Sequence, residues 1–269
     1  MYIEDNLEWI WQTYKNVRAG DLIIRSGFGL TGVYEYDQKA GLSFRHHESD
    51  TEHAAGCIEI ARNLSRAFPD LFSGSEWLRI FDLLKYHDLG EVAYGDRPDD
   101  GTQNAAEKDA IELIAFRSAI TYLPSDDAGT LLWDFWTFQR VDSFSQNNSS
   151  HFRLACFARL CDKLDAVLRA IIYELNGVSG DLKYKEEHFS ALSERDQYYI
   201  QQTGTTKIAP NWTLHFIDIC HRYPYFALFF RILENAVRDV NNGEFYGWLP
   251  EVKERFEVTE QEMHYCELL

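Results

Sequence analysis

Apolar positions recur at the helical period along most of the chain, and strand-like alternation is scarce. The segment from position 77 to 86 is typical, with apolar residues at 77, 78, 80, 81, 83, 84 and 86. Ser49 and Glu52 have the three-residue spacing of a capping box, which predicts a helix start. The pattern predicts an all-α fold with helices over about 49–68, 73–90, 104–123, 126–139, 150–176, 185–202, 211–240 with a break at Pro224, and 248–266.

Glycines mark the expected ends and interruptions of these helices. Gly90 is expected to close the second helix, because glycine readily adopts the left-handed conformation found after a helix C-terminus. The stretch 20–41 contains five glycines and is predicted to be a loop with room for a small hairpin. No internal repeat interrupts the helical pattern.

Composition narrows the class of protein. The chain has 269 residues and 45% are apolar, which is enough for a substantial core. There are 26 Lys and Arg against 43 Asp and Glu, a formal charge of −17, so a protein that coats DNA or RNA is not expected. Small phosphorylated ligands are still compatible with that charge. The longest apolar run, 225–230, has six residues, whereas a membrane span needs roughly 20.

The cysteines and the first residues suggest a compartment. Five cysteines are present, and no two of them form a Cys-x-x-Cys pair, which favours reduced thiols. Residues 1–20 show no secretory signal pattern. We therefore expect a cytoplasmic protein.

The pattern that indicates chemistry begins at His87-Asp88. An adjacent imidazole and carboxylate at a helix end can bind one divalent transition ion, such as Mn²⁺, Co²⁺, Fe²⁺ or Zn²⁺. His53, one turn into the first predicted helix, is the best candidate for a third ligand. The candidates for a fourth are Asp162 and Asp165, because carboxylates along a mainly apolar helix are costly unless they are paired, hydrogen-bonded or metal-bound.

The order and spacing of these residues resemble the metal-ligand signature of the HD-domain phosphohydrolases. The pattern is Arg-His-His-Glu-Ser-Asp-Thr-Glu-His ending at His53, His-Asp-Leu-Gly-Glu from His87 with Asp96 behind it, and Cys-Asp-Lys-Leu-Asp ending at Asp165. It is similar to the branch that contains bacterial 5′-deoxynucleotidases and their human relatives. The resemblance covers about 25–180, and it implies one HD-type helical bundle over 1–269 with a catalytic core at 25–180 and a helical extension at 181–269.

The resemblance also implies roles for individual residues. One divalent metal would be held by His53, His87, Asp88 and Asp162. Glu91 would be the general acid or proton relay, and Asp96 would orient the substrate sugar or the attacking water. Arg25 corresponds to the arginine of the family's Arg-x-Gly-Trp element, and Arg25 or Arg45 would pair with the substrate phosphate.

The expected function follows from these roles. It is the hydrolysis of nucleoside or deoxynucleoside 5′-monophosphates to nucleoside and phosphate by metal-activated water. Two alternatives stay open: a phosphodiesterase or nucleotide pyrophosphatase on the same centre, and a catalytically silent nucleotide sensor or scaffold. The expected partner is a small phosphorylated substrate, with no nucleic-acid polymer and no membrane, and the resemblance implies a homodimer.

Overall fold

A computed structural model of the protein describes residues 49–91, 105–121, 123, 125–143, 149–175, 180–188 and 192–240. Within these residues the fold is all-α and contains no β-sheet, so the predicted fold class is confirmed. The helices are α1 (Asp50–Ala67), α2 (Gly74–Tyr86), α3 (Ala105–Ala119), α4 (Ser125–Arg140), α5 (Ser150–Leu175), α6 (Leu182–His188), α7 (Glu194–Thr203), α8 (Ile208–Cys220) and α9 (Phe226–Val240).

Capping boxes begin the first two helices. The Ser49 side chain accepts a hydrogen bond from the Glu52 backbone N–H, and the Ser49 N–H donates to Glu52 Oε2 at 2.8 Å. Ser73 and Glu76 repeat the arrangement at the start of α2. The backbone hydrogen bond from Ser73 lowers the pKa of the Glu76 carboxyl. The predicted start of the first helix is therefore confirmed, together with its physical cause.

The expected role of Gly90 is wrong. Helix α2 ends at Tyr86, the following His87 is still right-handed, and among the described glycines only Gly204 has a positive φ. Gly90 instead lies so close to α3 that a Cβ placed on it would be 2.9 Å from the Cα of Glu112. A glycine is needed here because two backbones approach each other, and this contact holds the turn after α2 against α3.

Two helices replace the single one predicted over 185–202. Helix α6 ends at His188, and α7 starts anew after Ser193, whose side chain accepts a hydrogen bond from the Asp196 N–H. The break at Pro224 is confirmed, since α8 ends at Cys220 and α9 begins at Phe226. The predicted loop over 20–41 and the predicted helix over 248–266 lie outside the described residues.

Contacts between Cα atoms divide the chain into two compact units, and the division falls inside α5, between Asp162 and Lys163. In the first unit α1 packs on α2, and α4 packs on both α2 and α3. Phe72, Trp77 and Phe157 form an edge-to-face aromatic cluster with ring centroids 5.0 to 5.4 Å apart. This core brings the C-terminal end of α2 and the first half of α5 into one unit.

The second unit has its own core. Helix α7 packs on α8, and the rings of Phe216 and Phe226 join α8 to α9 with centroids 5.9 Å apart. The Asn211 amide donates to the backbone oxygens of Thr205 at 2.8 Å and Lys207 at 2.6 Å, which fixes the start of α8.

The organisation as one domain with a C-terminal extension stays a prediction. None of the helices in the described ranges has the length and apolar character that crossing a bilayer requires.

Candidate metal centre

His53 enters the site from the first turn of α1. Its backbone N–H donates to the Ser49 oxygen at 3.0 Å, so the capping box sets the start of the helix and with it the direction of this side chain. The imidazole is completely buried. Its Nε2 atom lies 3.1 Å from Asp162 Oδ1 and 3.8 Å from Asp88 Oδ2.

His87 lies at the C-terminal end of α2, and its ring orientation is set by the backbone. Nδ1 lies 2.7 Å from the Leu84 oxygen, and since a carbonyl only accepts, Nδ1 must carry the proton and donate. In the neutral imidazole, Nε2 therefore has the lone pair. This tautomer lets a histidine bind a metal through Nε2. The exposed fraction of the residue is 5%, and Nε2 makes no hydrogen bond within the described part of the chain.

Four atoms from three segments form a closed ring in which nitrogen and oxygen alternate. Asp162 Oδ1 lies 3.1 Å from His53 Nε2 and 3.9 Å from His87 Nε2. Asp88 Oδ2 lies 3.3 Å from His87 Nε2 and 3.8 Å from His53 Nε2. The four predicted metal ligands are thus brought together, although they are up to 109 positions apart in the chain.

Each adjacent pair of these atoms has a separation that two ligands of one ion can have. Two atoms each about 2.1 Å from a metal are about 3.0 Å apart at a right angle, about 3.4 Å at the tetrahedral angle and about 3.9 Å at 135°. The four sides of the ring, from 3.1 to 3.9 Å, fall within that interval.

The charges of the four ligand groups also favour binding of a cation. The lone pair of a neutral His87 faces the Asp88 and Asp162 carboxylates, which are acceptors as well. Acceptors that face one another in a buried site repel unless a proton or a metal lies among them. The buried histidines and aspartates could therefore hold a metal ion, as the sequence predicts at this coarser level. The nature of the ion is not determined by a mixed nitrogen and oxygen set.

A group of carboxylates adjoins the ring. Asp50, Asp88 and Glu91 each offer an oxygen, and these oxygens lie within 4.8 Å of one another. Glu91 is held close by its backbone N–H, which donates to the Asp88 oxygen at 2.9 Å. The structure thus places the predicted proton donor Glu91 beside the predicted ligand Asp88. Its role in proton transfer stays a prediction.

Two residues of this region were missed in the sequence. Asp50 precedes His53 by three positions and Cys57 follows it by four, so both lie on the same face of α1 as the histidine. That spacing is the signal that would have found them. Both are buried, Cys57 completely.

The Cys57 thiol lies apart from the four ligand atoms of His53, His87, Asp88 and Asp162. Cys57 belongs to a His53–Cys57–His87 group whose donor atoms lie within 4.8 Å of one another and could hold a metal. Sγ is 3.7 Å from His53 Nε2 and 3.9 Å from Nδ1, so it lies beside the imidazole. An ion bound to the Nε2 lone pair would lie in the plane of the His53 imidazole and away from Nδ1. The side chain of Cys57 would have to rotate to bind that ion.

The remaining predicted site residues lie elsewhere in the chain. Asp96, Arg25 and Arg45 are outside the described residues, so their roles stay predictions. Asp165, the alternative to Asp162, is also buried. Asp162 is the one whose Oδ1 lies 3.1 Å from His53 Nε2 and closes the ring.

Comparisons of the chain with protein-family models, with curated protein sequences and with solved structures returned no match. The described part is a helical protein with a buried cluster of histidine, cysteine and aspartate that could bind a metal, and this cluster is compatible with an HD-type site.

Proposed function

We propose that the protein is an HD-type, metal-dependent phosphohydrolase of the 5′-deoxynucleotidase-like branch, which converts nucleoside or deoxynucleoside 5′-monophosphates to nucleoside and phosphate. The observation that carries the proposal is the closed ring of His53, His87, Asp88 and Asp162, with Glu91 beside Asp88. The same residues, in the same order along the chain, carry the resemblance to that branch. When bound, a divalent ion supplies Lewis acidity, which activates water and neutralises phosphoryl charge.

The protein's own residues would do the rest of the chemistry. The Leu84 carbonyl keeps the proton of His87 on Nδ1, so that Nε2 faces the ring. Glu91 lies beside Asp88 but is not one of the four ligands. That position suits a group that transfers a proton to the leaving nucleoside oxygen. Arg25 or Arg45 would pair with the phosphate, and Asp96 would orient the sugar or the water.

The test is phosphate release from a panel of nucleoside and deoxynucleoside 5′-monophosphates, with Mn²⁺ or Co²⁺ added. Glu91→Gln should lower kcat by about 10²- to 10⁴-fold, the usual contribution of a general acid, while metal-induced thermal stabilisation is retained. The matched control is Glu59→Gln, on the exposed surface of α1, which should leave turnover unchanged. An absence of metal-stimulated release, or activity that survives His87→Ala, would overturn the proposal.

The same assay separates the alternative functions. Release of pyrophosphate, or of a nucleotide from a diester, would indicate the diesterase or pyrophosphatase reaction on the same centre. Thermal stabilisation by nucleotides without any turnover would indicate a sensor or scaffold.

A further inference from the structure

Arg159 lies one helical turn before Asp162 on α5 and contacts its carboxylate directly. Arg159 Nη1 donates to Asp162 Oδ2 at 3.1 Å. The other oxygen, Oδ1, is the one that lies 3.1 Å from His53 Nε2. The two carboxylate oxygens of Asp162 therefore have different partners: Oδ2 contacts Arg159, and Oδ1 contacts His53.

The guanidinium is held from other sides as well. Its Cζ lies 5.0 Å from the centroid of the Phe138 ring, in cation–π geometry, and Nη2 lies 3.8 Å from Asp142 Oδ2. Phe138 in turn packs edge-on against the His87 ring, with centroids 5.7 Å apart. The side chain of Arg159 is only 22% exposed. It thus connects to Asp162 by a hydrogen bond and to His87 through a shared aromatic neighbour.

We propose that Arg159 is a positioning residue of the metal centre, which holds Asp162 so that a single oxygen, Oδ1, is presented to the ion. A carboxylate can bind a metal through one oxygen or both, and a charge-assisted hydrogen bond to Oδ2 favours the first mode. One-oxygen binding leaves a coordination position for water or substrate. The inference rests on the proposed function, because it requires the ring to be a metal centre.

The hydrogen bond from Arg159 to Asp162 Oδ2 should affect how many atoms bind the ion. Without the arginine, Asp162 could turn and offer both oxygens to the ion. The number of atoms bound to the ion would then rise, and its coordination geometry would change. The absorption spectrum of a bound transition metal reports that geometry.

The experiment measures Co²⁺ binding to the full chain by calorimetric titration, together with the visible absorption of the bound cobalt. Arg159→Gln should reduce the visible absorption intensity of the bound cobalt, because a higher coordination number gives weaker bands. Arg159→Lys keeps a charged donor and should retain part of that intensity. The matched control is Arg153→Gln, on the same helix, whose guanidinium lies 5.5 Å from the centroid of the Phe72 ring.

The outcomes separate this inference from the function on which it rests. If Arg159→Gln binds Co²⁺ with the spectrum of the unchanged protein, the inference is overturned. If Arg159→Gln does not fold, Arg159→Met decides the question, because it keeps packing against Phe138 but cannot donate to Oδ2: an unchanged spectrum overturns the inference, and a weaker absorption supports it. If the unchanged protein binds no Co²⁺, the inference and the proposed function both fail. If the unchanged protein binds Co²⁺ and Arg159→Gln alters the spectrum as expected, but no nucleotide is hydrolysed, only the proposed function fails.

Discussion

Replacement of His87 by alanine is the sharpest test of the ring. It removes Nε2 and with it two of the four sides, those of 3.3 and 3.9 Å, while His53 keeps its contacts of 3.8 Å with Asp88 and 3.1 Å with Asp162. Three donors would then hold an ion that four had held. We expect the dissociation constant for Co²⁺ or Mn²⁺ to rise by at least 100-fold, the upper end of what loss of a merely orienting group costs.

That change converts into a thermal shift. A metal at 100 times its dissociation constant stabilises the folded protein by about 2.7 kcal/mol. For a protein of this size, this corresponds to a rise in Tm of about 5 to 11 °C. After a 100-fold loss of affinity the same concentration equals the dissociation constant, and the stabilisation falls to about 0.4 kcal/mol, or about 1 °C.

The assay is a melting curve with chelator and with added Co²⁺ or Mn²⁺, and it needs no knowledge of the substrate. His221→Ala is the control, because this exposed imidazole lies in the second unit and bonds to backbone oxygens of its own helix. Its metal-induced shift should equal that of the unchanged protein. If His87→Ala retains the full shift, the ring is not the metal centre and the argument from its geometry fails.

Two further predictions concern stability. Gly90→Ala should lower the free energy of unfolding by about 1 to 3 kcal/mol, because its Cβ would meet the backbone of Glu112 at 2.9 Å. Gly129→Ala, in the exposed face of α4 with no atom within 4 Å, should be neutral or slightly stabilising, and equal effects in urea denaturation would contradict the reasoning.

Local signals in the sequence were sufficient for most helices of the described residues. Ser49 and Glu52 form the predicted capping box, and the predicted break at Pro224 separates α8 from α9. Such features depend on residues three or four positions apart, which are neighbours in any helix. The prediction of one helix over 185–202 is wrong, because Ser193 caps a new helix that starts at Glu194.

The error at Gly90 has a different origin. Its sequence context, directly after a helix, suits a left-handed C-terminal glycine, but the reason for a glycine here is the approach of Glu112 from α3. No local pattern reports a neighbour 22 positions away. Arg159 is three positions before Asp162 on one helix, so their pairing is local, whereas the contact of Asp162 Oδ1 with His53 is not.

The sequence by itself determined the helical class and proposed the residues of the ring, because helix periodicity and short chemical motifs are written in neighbouring positions. Only the tertiary structure decided that His53, His87-Asp88 and Asp162 converge, that Nε2 of His87 faces two carboxylates, and that Cys57 lies beside the His53 imidazole. Distances between segments depend on how buried side chains pack, and packing is a property of the whole unit. The candidate ligands could therefore be proposed from the sequence, whereas their arrangement in space required the fold.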